Sequence, residues 1–316
     1  MRIILTGCNG KLGRATASAL LQRGHAVVGI DVAPAHTPPA GGHHPVVVDD
    51  LRNPAAIHRA FEKFEGVPDA VVHLANHTNS MVAPAEVVLR ENLAMNSSVF
   101  TAAVQHGVHR LVFSSSVQAM LASMENDGSF GHRIPQELPV SERIAPLPSN
   151  VYGVSKLLTE QMLTLMCANA GFKLPTTPTA VSVRLPYILG QPQFEMASKR
   201  TGASEFMWGG SEAFAYIHVE DAAMALVLAA ERPITGHEVV WCAAPDPRAA
   251  ETVAALVGRF YQGVPGADRA VAGSSLMDCS AAERLLGWKA ARVLSLERLR
   301  LGVTPPGETG FAAAPR

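Results

Sequence analysis

Tyr152 and Lys156 are the residues whose types and spacing have the clearest chemical use. They stand four apart in the run Tyr152-Gly153-Val154-Ser155-Lys156, and an apolar pattern continues through Leu157, Leu158 and Met162. That pattern predicts a helix, which places the phenol and the ammonium on one face. An ammonium about 6 Å from a phenol, at an effective dielectric near 20, is worth roughly 2.8 kcal/mol or about two pKa units. The phenol is therefore expected to fall from its usual value toward neutrality and to serve as a general base for an alcohol proton. A surface pair sharing a helix face by chance is the alternative, disfavoured in a chain with only four tyrosines. Upstream, Ser114-Ser115-Ser116 closes a β-rich run, at the strand end where ligands collect in open α/β sheets. A hydroxyl there can orient a substrate oxygen. Serines at strand ends also form turns, so this assignment leans on the tyrosine and lysine.

A second group points to a dinucleotide. Thr6-Gly7-Cys8-Asn9-Gly10-Lys11-Leu12-Gly13 follows the first apolar run and leads into a helical pattern over 14–23. Gly7 and Gly10 let a backbone turn tightly against a pyrophosphate held by the helix amides, and Gly13 permits close helix packing. About twenty residues on, Asp31 ends the second β-rich run, where a carboxylate accepts from ribose hydroxyls and repels a 2′-phosphate. With no arginine in the next several residues, NAD is expected over NADP. Asp50-Leu51 is read as an adenine contact or, equally, as a solvated turn.

The elements that must position these groups alternate in type. Residues 3–6, 26–31, 46–49, 70–74 and 111–115 read as strands, nearly all apolar, with amphipathic segments between most of them. This is the pattern of a parallel sheet covered on both faces. The expected fold is α/β, a Rossmann doubly wound sheet with a smaller C-terminal substrate-binding lobe. The nucleotide-binding domain is assigned to 1–185 with a segment returning at about 213–243, and the lobe to 186–212 and 244–316. A helix is expected over 219–230 and a loosely held tail from Thr304. The 26 basic and 27 acidic residues nearly balance, so neither nucleic acid nor a membrane is expected as a partner. Four scattered cysteines without metal spacing suggest reduced thiols in the cytoplasm.

Several motifs together resemble the extended short-chain dehydrogenase/reductases, the NAD-dependent epimerase/dehydratase family. Beside the glycine loop stand His73-Leu74-Ala75-Asn76, Asn92, Phe113-Ser114-Ser115-Ser116 and Ser149-Asn150-Val151-Tyr152-Gly153-Val154-Ser155-Lys156 with Glu160. Tyr216-Ile217-His218-Val219-Glu220-Asp221 and Leu285-Leu286-Gly287-Trp288 are similar to two C-terminal landmarks of the family. The resemblance implies Ser116, Tyr152 and Lys156 as the catalytic set. It implies that Leu74, Ala75, Asn76, Asn92, Ser114 and Pro186 join Gly7, Asn9, Gly10, Lys11, Leu12, Gly13, Asp31, Asp50 and Leu51 along NAD, where Tyr152 and Lys156 also reach. Ser116, Gln118 and Tyr187 are assigned to the substrate.

Departures from the family narrow the function. Val117-Gln118 stands where 4,6-dehydratases carry an Asp-Glu pair, so elimination is not expected. Phe214-Ala215 lacks the arginine, and Tyr187 replaces the asparagine, of nucleotide-sugar enzymes, so a diphosphate would lose its clamp. The segment from Gln118 to Asn150 is about ten residues longer than its counterpart in sugar epimerases and is read as a lid over the substrate. The leading expectation is an NAD-dependent dehydrogenase of a small polyol, a uronate-like sugar or a hydroxy acid. A nucleotide-sugar 4-epimerase with tightly held NAD is the second, and a non-catalytic NAD(H)-sensing regulator the third. His73 and His77 straddle a strand end without a nearby carboxylate and are not read as metal ligands. His43-His44 are read as exposed. Leu158, Met162, Leu165 and Met166 make an apolar stripe assigned to core or to subunit contact in a homodimer.

Overall fold

The computed structural model describes residues 1–34, 42, 44–63, 66–78, 82–123, 125–129, 133–199 and 209–295. His43 and the tail from Thr304 lie outside them. Along the chain run β1 (Arg2–Thr6), α1 (Lys11–Gln22), β2 (Ala26–Asp31), β3 (Val46–Val48), α2 (Ala55–Phe61), β4 (Ala70–His73) and α3 (Ala85–Gln105). Then come β5 (Arg110–Ser116), α4 (Val151–Cys167), β6 (Thr179–Leu185), β7 (Tyr187–Leu189) and α5 (Gln191–Ser198). The remaining elements are β8 (Tyr216–His218), α6 (Val219–Glu231), β9 (His237–Trp241), α7 (Val253–Phe260), α8 (Ala267–Gly273) and α9 (Ser280–Leu286).

Seven strands form one sheet in the order β3-β2-β1-β4-β5-β6-β9, parallel throughout. Alternate residues leave opposite faces of a strand, and the core divides accordingly. Ile3, Leu5 and Val72 pack with α1, α6 and α9 on one side, whereas Ile4, Val71 and Phe113 pack with α2, α3 and α4 on the other. Both faces are covered, which is why the strands read as continuous apolar runs. The expected strands are present with ends displaced by at most one residue. The first helix starts at Lys11, not at Arg14, because the Gly10 amide already donates to the Gly7 carbonyl at 3.2 Å and closes the loop early.

A separate core joins the long connection after β5 to the C-terminal helices. Leu138, Val140 and Ile144 are buried among Trp241, Leu256 and Tyr261, and the Leu138 and Val140 amides donate to the Pro265 and Leu276 carbonyls. The described part of this connection is therefore docked along the C-terminal helices. The two C-terminal landmarks meet: the Trp288 indole donates to the Asp221 carbonyl at 2.9 Å, and the Asp221 carboxylate accepts from the Ala291 and Arg292 amides.

Two expectations are corrected here. His44 is buried, only 9% exposed, because β3 returns alongside β2 and presses the ring toward Gly29, where a Cβ would stand 3.0 Å from His44 Nε2. His77 does have a carboxylate neighbour, since α3 brings Glu91 to 2.7 Å. Among the described residues no cluster of histidine, cysteine and acidic groups could hold a metal ion, and no helix is long and apolar enough to cross a membrane.

Candidate active site

The glycine loop is built by contacts that side chains would prevent. Gly7 has φ +67°, and a Cβ on it would lie 2.9 Å from the Ala75 amide nitrogen, while one on Gly13 would strike the Gly7 carbonyl and the Cys8 backbone. Thr6 Oγ1 ties the exits of β1 and β4 together by accepting from the Leu74 and Ala75 amides at 3.1 and 3.2 Å. Gly10 precedes α1 with no side-chain cap, and the first turn carries no acidic residue, so the helix presents bare amides of the kind that hold a phosphate. Asp31 accepts from the Asn9 and Ala33 amides, and the Asn9 side chain donates to the Ala33 carbonyl.

The other residues read along the cofactor fall into two groups. Asn76, Ala75 and Ser114 converge on the loop and on Lys156: Lys156 Nζ donates to Asn76 Oδ1 and to the Ser114 carbonyl, each at 2.8 Å. Gly7, Ala75, Asn76 and Lys156 thus form one continuous line of contacts. Others are engaged elsewhere. Asn92 is fully buried, its amide exchanging hydrogen bonds with the His77 backbone and donating to Ser155. Lys11 donates to the Ile188 carbonyl, Asp50 is paired with Arg52, and Leu51 is a core residue. Leu12 and Leu74 pack at the edge of the core, and Pro186 is buried at the end of β6.

Tyr152 and Lys156 lie on α4, one helical turn apart. The Asn150 side chain caps this helix, accepting from the Gly153 amide at 2.8 Å and donating to Gln118 Oε1 at 3.0 Å. Gly153 has a packing reason, because a Cβ there would run into the Gln118 carbonyl. Ser116 hydrogen-bonds the Tyr152 hydroxyl and accepts from the Gln118 amide at 3.2 Å. Beneath them Glu160 accepts from Ser115 at 2.6 Å and holds Arg184 in a buried pair at 2.7 Å.

The electrostatics correct one expectation. Lys156 Nζ stands 5.3 Å from the Tyr152 ring centroid, yet the phenol is pushed up, to about 12, chiefly by burial, with Ser116 lowering it and Glu212 raising it further. Burial also pulls Lys156 down to about 7, against Glu160. Desolvation penalises whichever form is charged, so in this cleft it moves phenol and amine toward their neutral states together. His73, fully buried between Thr6 and Asn96, is pulled down to about 3 by the same cause.

Glu212, Ser123 and Arg248 also belong to the site and were missed in the sequence. Glu212 accepts from Ser123 at 2.5 Å and from Gln118 at 3.2 Å. Arg248 is 4% exposed, with its guanidinium 4.4 Å from the Tyr187 ring centroid. Neither charge stands in a motif, and no spacing links positions 212 and 248 to the glycine loop or α4.

Comparison with known proteins agrees with this architecture. Uronate dehydrogenase of Pseudomonas syringae pv. tomato is 30% identical over 192 residues, 61% of this chain and 61% of that protein. UDP-glucose 4-epimerase of Azospirillum brasilense is 31% identical over 168 residues, 51% of this chain and 43% of that one. The matches therefore span less than two thirds of either relative's length. Among solved structures, UDP-glucose 4-epimerase from Bifidobacterium longum, in complex with NAD+ and UDP, superposes with a TM-score of 0.67 at 19% identity, covering 93% of this chain and 95% of that one. Uronate dehydrogenase from Agrobacterium tumefaciens gives 0.63 at 21% identity, covering 98% and 91%. The family model for the NAD dependent epimerase/dehydratase family matches residues 3–242, and with the glycine loop and the seven-stranded sheet in place, the chain belongs to that family.

Proposed function

We propose that the protein is an NAD-dependent oxidoreductase that moves a hydride at a secondary alcohol of a small sugar-like substrate, with Ser116, Tyr152 and Lys156 as its chemical groups. The observation that carries this reading is the line of contacts from Gly7 through Ala75 and Asn76 to Lys156, one helical turn from Tyr152, whose hydroxyl bonds Ser116. The cradle fits a dinucleotide: Gly7 and Gly13 have no room for a Cβ, α1 starts on bare amides, and Asp31 ends β2. The chemistry asked of a bound NAD is to accept a hydride from the carbinol carbon.

The chain's own residues handle the proton and the orientation. Ser116 donates to the substrate oxygen and holds it at the phenol; Tyr152 takes the hydroxyl proton in oxidation and returns it in reduction. Lys156 changes charge near neutrality, and a proton on its amine, 5.3 Å from the ring, favours the phenolate. The lobe that carries Tyr187 and Arg248 is read as the substrate side, closed by the docked segment after Gln118.

Incubation with NAD and a panel of aldoses, polyols, uronates and hydroxy acids tests the reading. NADH formation with at least one class is expected, and its absence with all of them overturns dehydrogenation. Tightly copurified NAD with interconversion of UDP-sugars would make the protein a 4-epimerase, and NAD binding without turnover of any sugar would make it a sensor. We further read the protein as a homodimer: Met166 is buried, but Leu158 and Leu165 on α4 are 40% and 49% exposed, an apolar pair suited to a second copy. Size-exclusion with light scattering, repeated on Leu158→Glu, tests that. The free thiols of Cys8, Cys167, Cys242 and Cys279 support a cytoplasmic setting.

A further inference from the structure

A buried ion pair lies under the phenol and the ammonium, and the proton transfer proposed above makes no use of it. Ser115 on β5, Arg184 on β6 and Trp241 on β9 are partners in register, so they form one row across three strands. Glu160 comes down from α4 onto this row. Its Oε1 accepts from Ser115 Oγ at 2.6 Å and from Arg184 Nε at 3.0 Å, and its Oε2 accepts from Arg184 Nη2 at 2.7 Å. The guanidinium lies 4.9 Å from the Trp241 ring centroid, and the Trp241 amide donates to Glu142, from the connection after β5, at 3.0 Å. Ser115, Glu160, Arg184 and Trp241 are all buried.

Stability is a poor reason for such a pair. Two charges taken out of water lose much of what their attraction returns, and apolar residues of similar volume often serve the fold as well or better. The pair is also incompletely satisfied, since Arg184 Nη1 is buried without a hydrogen-bond partner, which adds a desolvation cost. Its place in the fold supplies another reason. Lys156 Nζ donates to the Ser114 carbonyl, Glu160 takes the Ser115 hydroxyl, and Ser116 bonds the Tyr152 hydroxyl. Three consecutive serines at the end of β5 are thus tied to three residues spaced four apart on α4, a spacing that puts all three on one helical face.

We infer that Glu160, clamped by Arg184, is a positioning residue for the proton transfer: through Ser115 it fixes the end of β5 against α4, so that Ser116 and the Ser114 carbonyl meet Tyr152 and Lys156, and it sets a negative charge one turn from the ammonium. The inference rests on the reading of Ser116, Tyr152 and Lys156 as the chemical groups, and adds the residue that holds them. The charge acts in the useful direction, because Glu160 opposes the burial that pulls Lys156 down to about 7, and a protonated amine favours the phenolate. The other titratable groups here are Tyr152 and His73 around Lys156, and His237 and Glu142 around the pair. Burial moves each of these four toward its neutral form, which leaves Glu160 and Arg184 as the ionic contact beneath the site.

The test compares the full wild-type chain with Ser115→Ala, Glu160→Gln and the double variant Glu160→Gln/Arg184→Met. Steady-state kinetics use NAD with the fastest of D-glucose, D-galacturonate, xylitol and lactate; NMR titration of protein labelled at lysine 13Cε follows Lys156, with Lys156→Met assigning its resonance. Glu160→Gln strands Arg184 without its partner, so the melting temperature should fall, and the double variant, which removes both charges, should regain it. A pair that served only the fold would regain kcat together with stability. The expectation here is that kcat at pH 7 stays about tenfold below wild type in the double variant, with KM within about threefold, and that the Lys156 midpoint falls by about one pH unit. Ser115→Ala keeps the ion pair and should lower kcat by about fivefold with the Lys156 midpoint in place. Wild-type kcat in the double variant or in Ser115→Ala, or an unmoved Lys156 midpoint in the double variant, overturns the inference. If Glu160→Gln does not fold, the double variant and Ser115→Ala decide. If the wild type oxidises none of the four compounds, the dehydrogenase reading is what fails, and the Lys156 titration, which needs no substrate, still decides the role of Glu160.

Discussion

Helices α1 and α4 begin in opposite ways. α1 starts on Gly10 with no side-chain cap and no acid in its first turn, whereas α4 starts on Asn150, which caps Gly153 and also reaches Gln118. An uncapped start leaves its amides for a ligand anion; a capped one spends them inside the protein and makes the helix a rigid mount. The first suits a region whose business is backbone contact with a phosphate. The second suits a region that must hold one phenol against one serine. The difference teaches that the cofactor half depends on missing side chains and the chemical half on side chains held from several directions.

That division can be tested, beginning with the largest expected effect. Tyr152→Phe should lower kcat by about a thousandfold while leaving NAD affinity within about threefold; comparable losses in both would show that the two halves are not separable. Gly13→Ala forces a Cβ into the Gly7 carbonyl and the Cys8 backbone, so NAD affinity should fall by about a hundredfold and stability by about 1–3 kcal/mol. Fluorescence titration and thermal melts measure these, and an unaffected NAD affinity would refute the cradle. Asn150→Ala should cost about 1 kcal/mol and about tenfold in kcat, with NAD binding unchanged.

A different kind of effect, read against pH, concerns the strand end where the halves join. His73 is fully buried, its pKa pulled down to about 3 from an ordinary 6.5. Between those values the unfolded chain binds a proton that the folded chain does not, so its stabilising contribution is complete above about pH 6.5 and is lost as the pH falls toward 3. His237, pulled down to about 4 by burial, acts in the same direction. Denaturant melts should show stability rising with pH across this window, by about 1.4 kcal/mol per unit for each proton. His73→Asn should flatten the rise, and an unchanged slope would mean that the ring is protonated in the folded protein.

Much of the fold was readable because its causes are local. The apolar runs of β1, β2 and β4 and the glycines between β1 and α1 declare themselves within a few residues, and a spacing of four puts Tyr152 and Lys156 on one helical face. Strand ends slipped by a single residue where hydrogen-bonding partners, not residue type, end the ladder. Asn92 illustrates the limit at single positions: its place in the chain was plain, but its amide faces His77 and Ser155, contacts that depend on how α3 and α4 pack.

Residue order along the chain was sufficient for the sheet, the dinucleotide loop and the tyrosine–lysine pair, since each depends on backbone geometry repeated over short distances. The direction of the Tyr152 shift, the Asn76 contact that holds Lys156, and the bonds from Ser123 and Gln118 to Glu212 had to wait for the folded chain. Burial sets the energy of a charge, and burial is a property of everything packed around it, contributed here by segments more than a hundred residues apart in some cases, such as Gln118 on one side and Arg248 on the other.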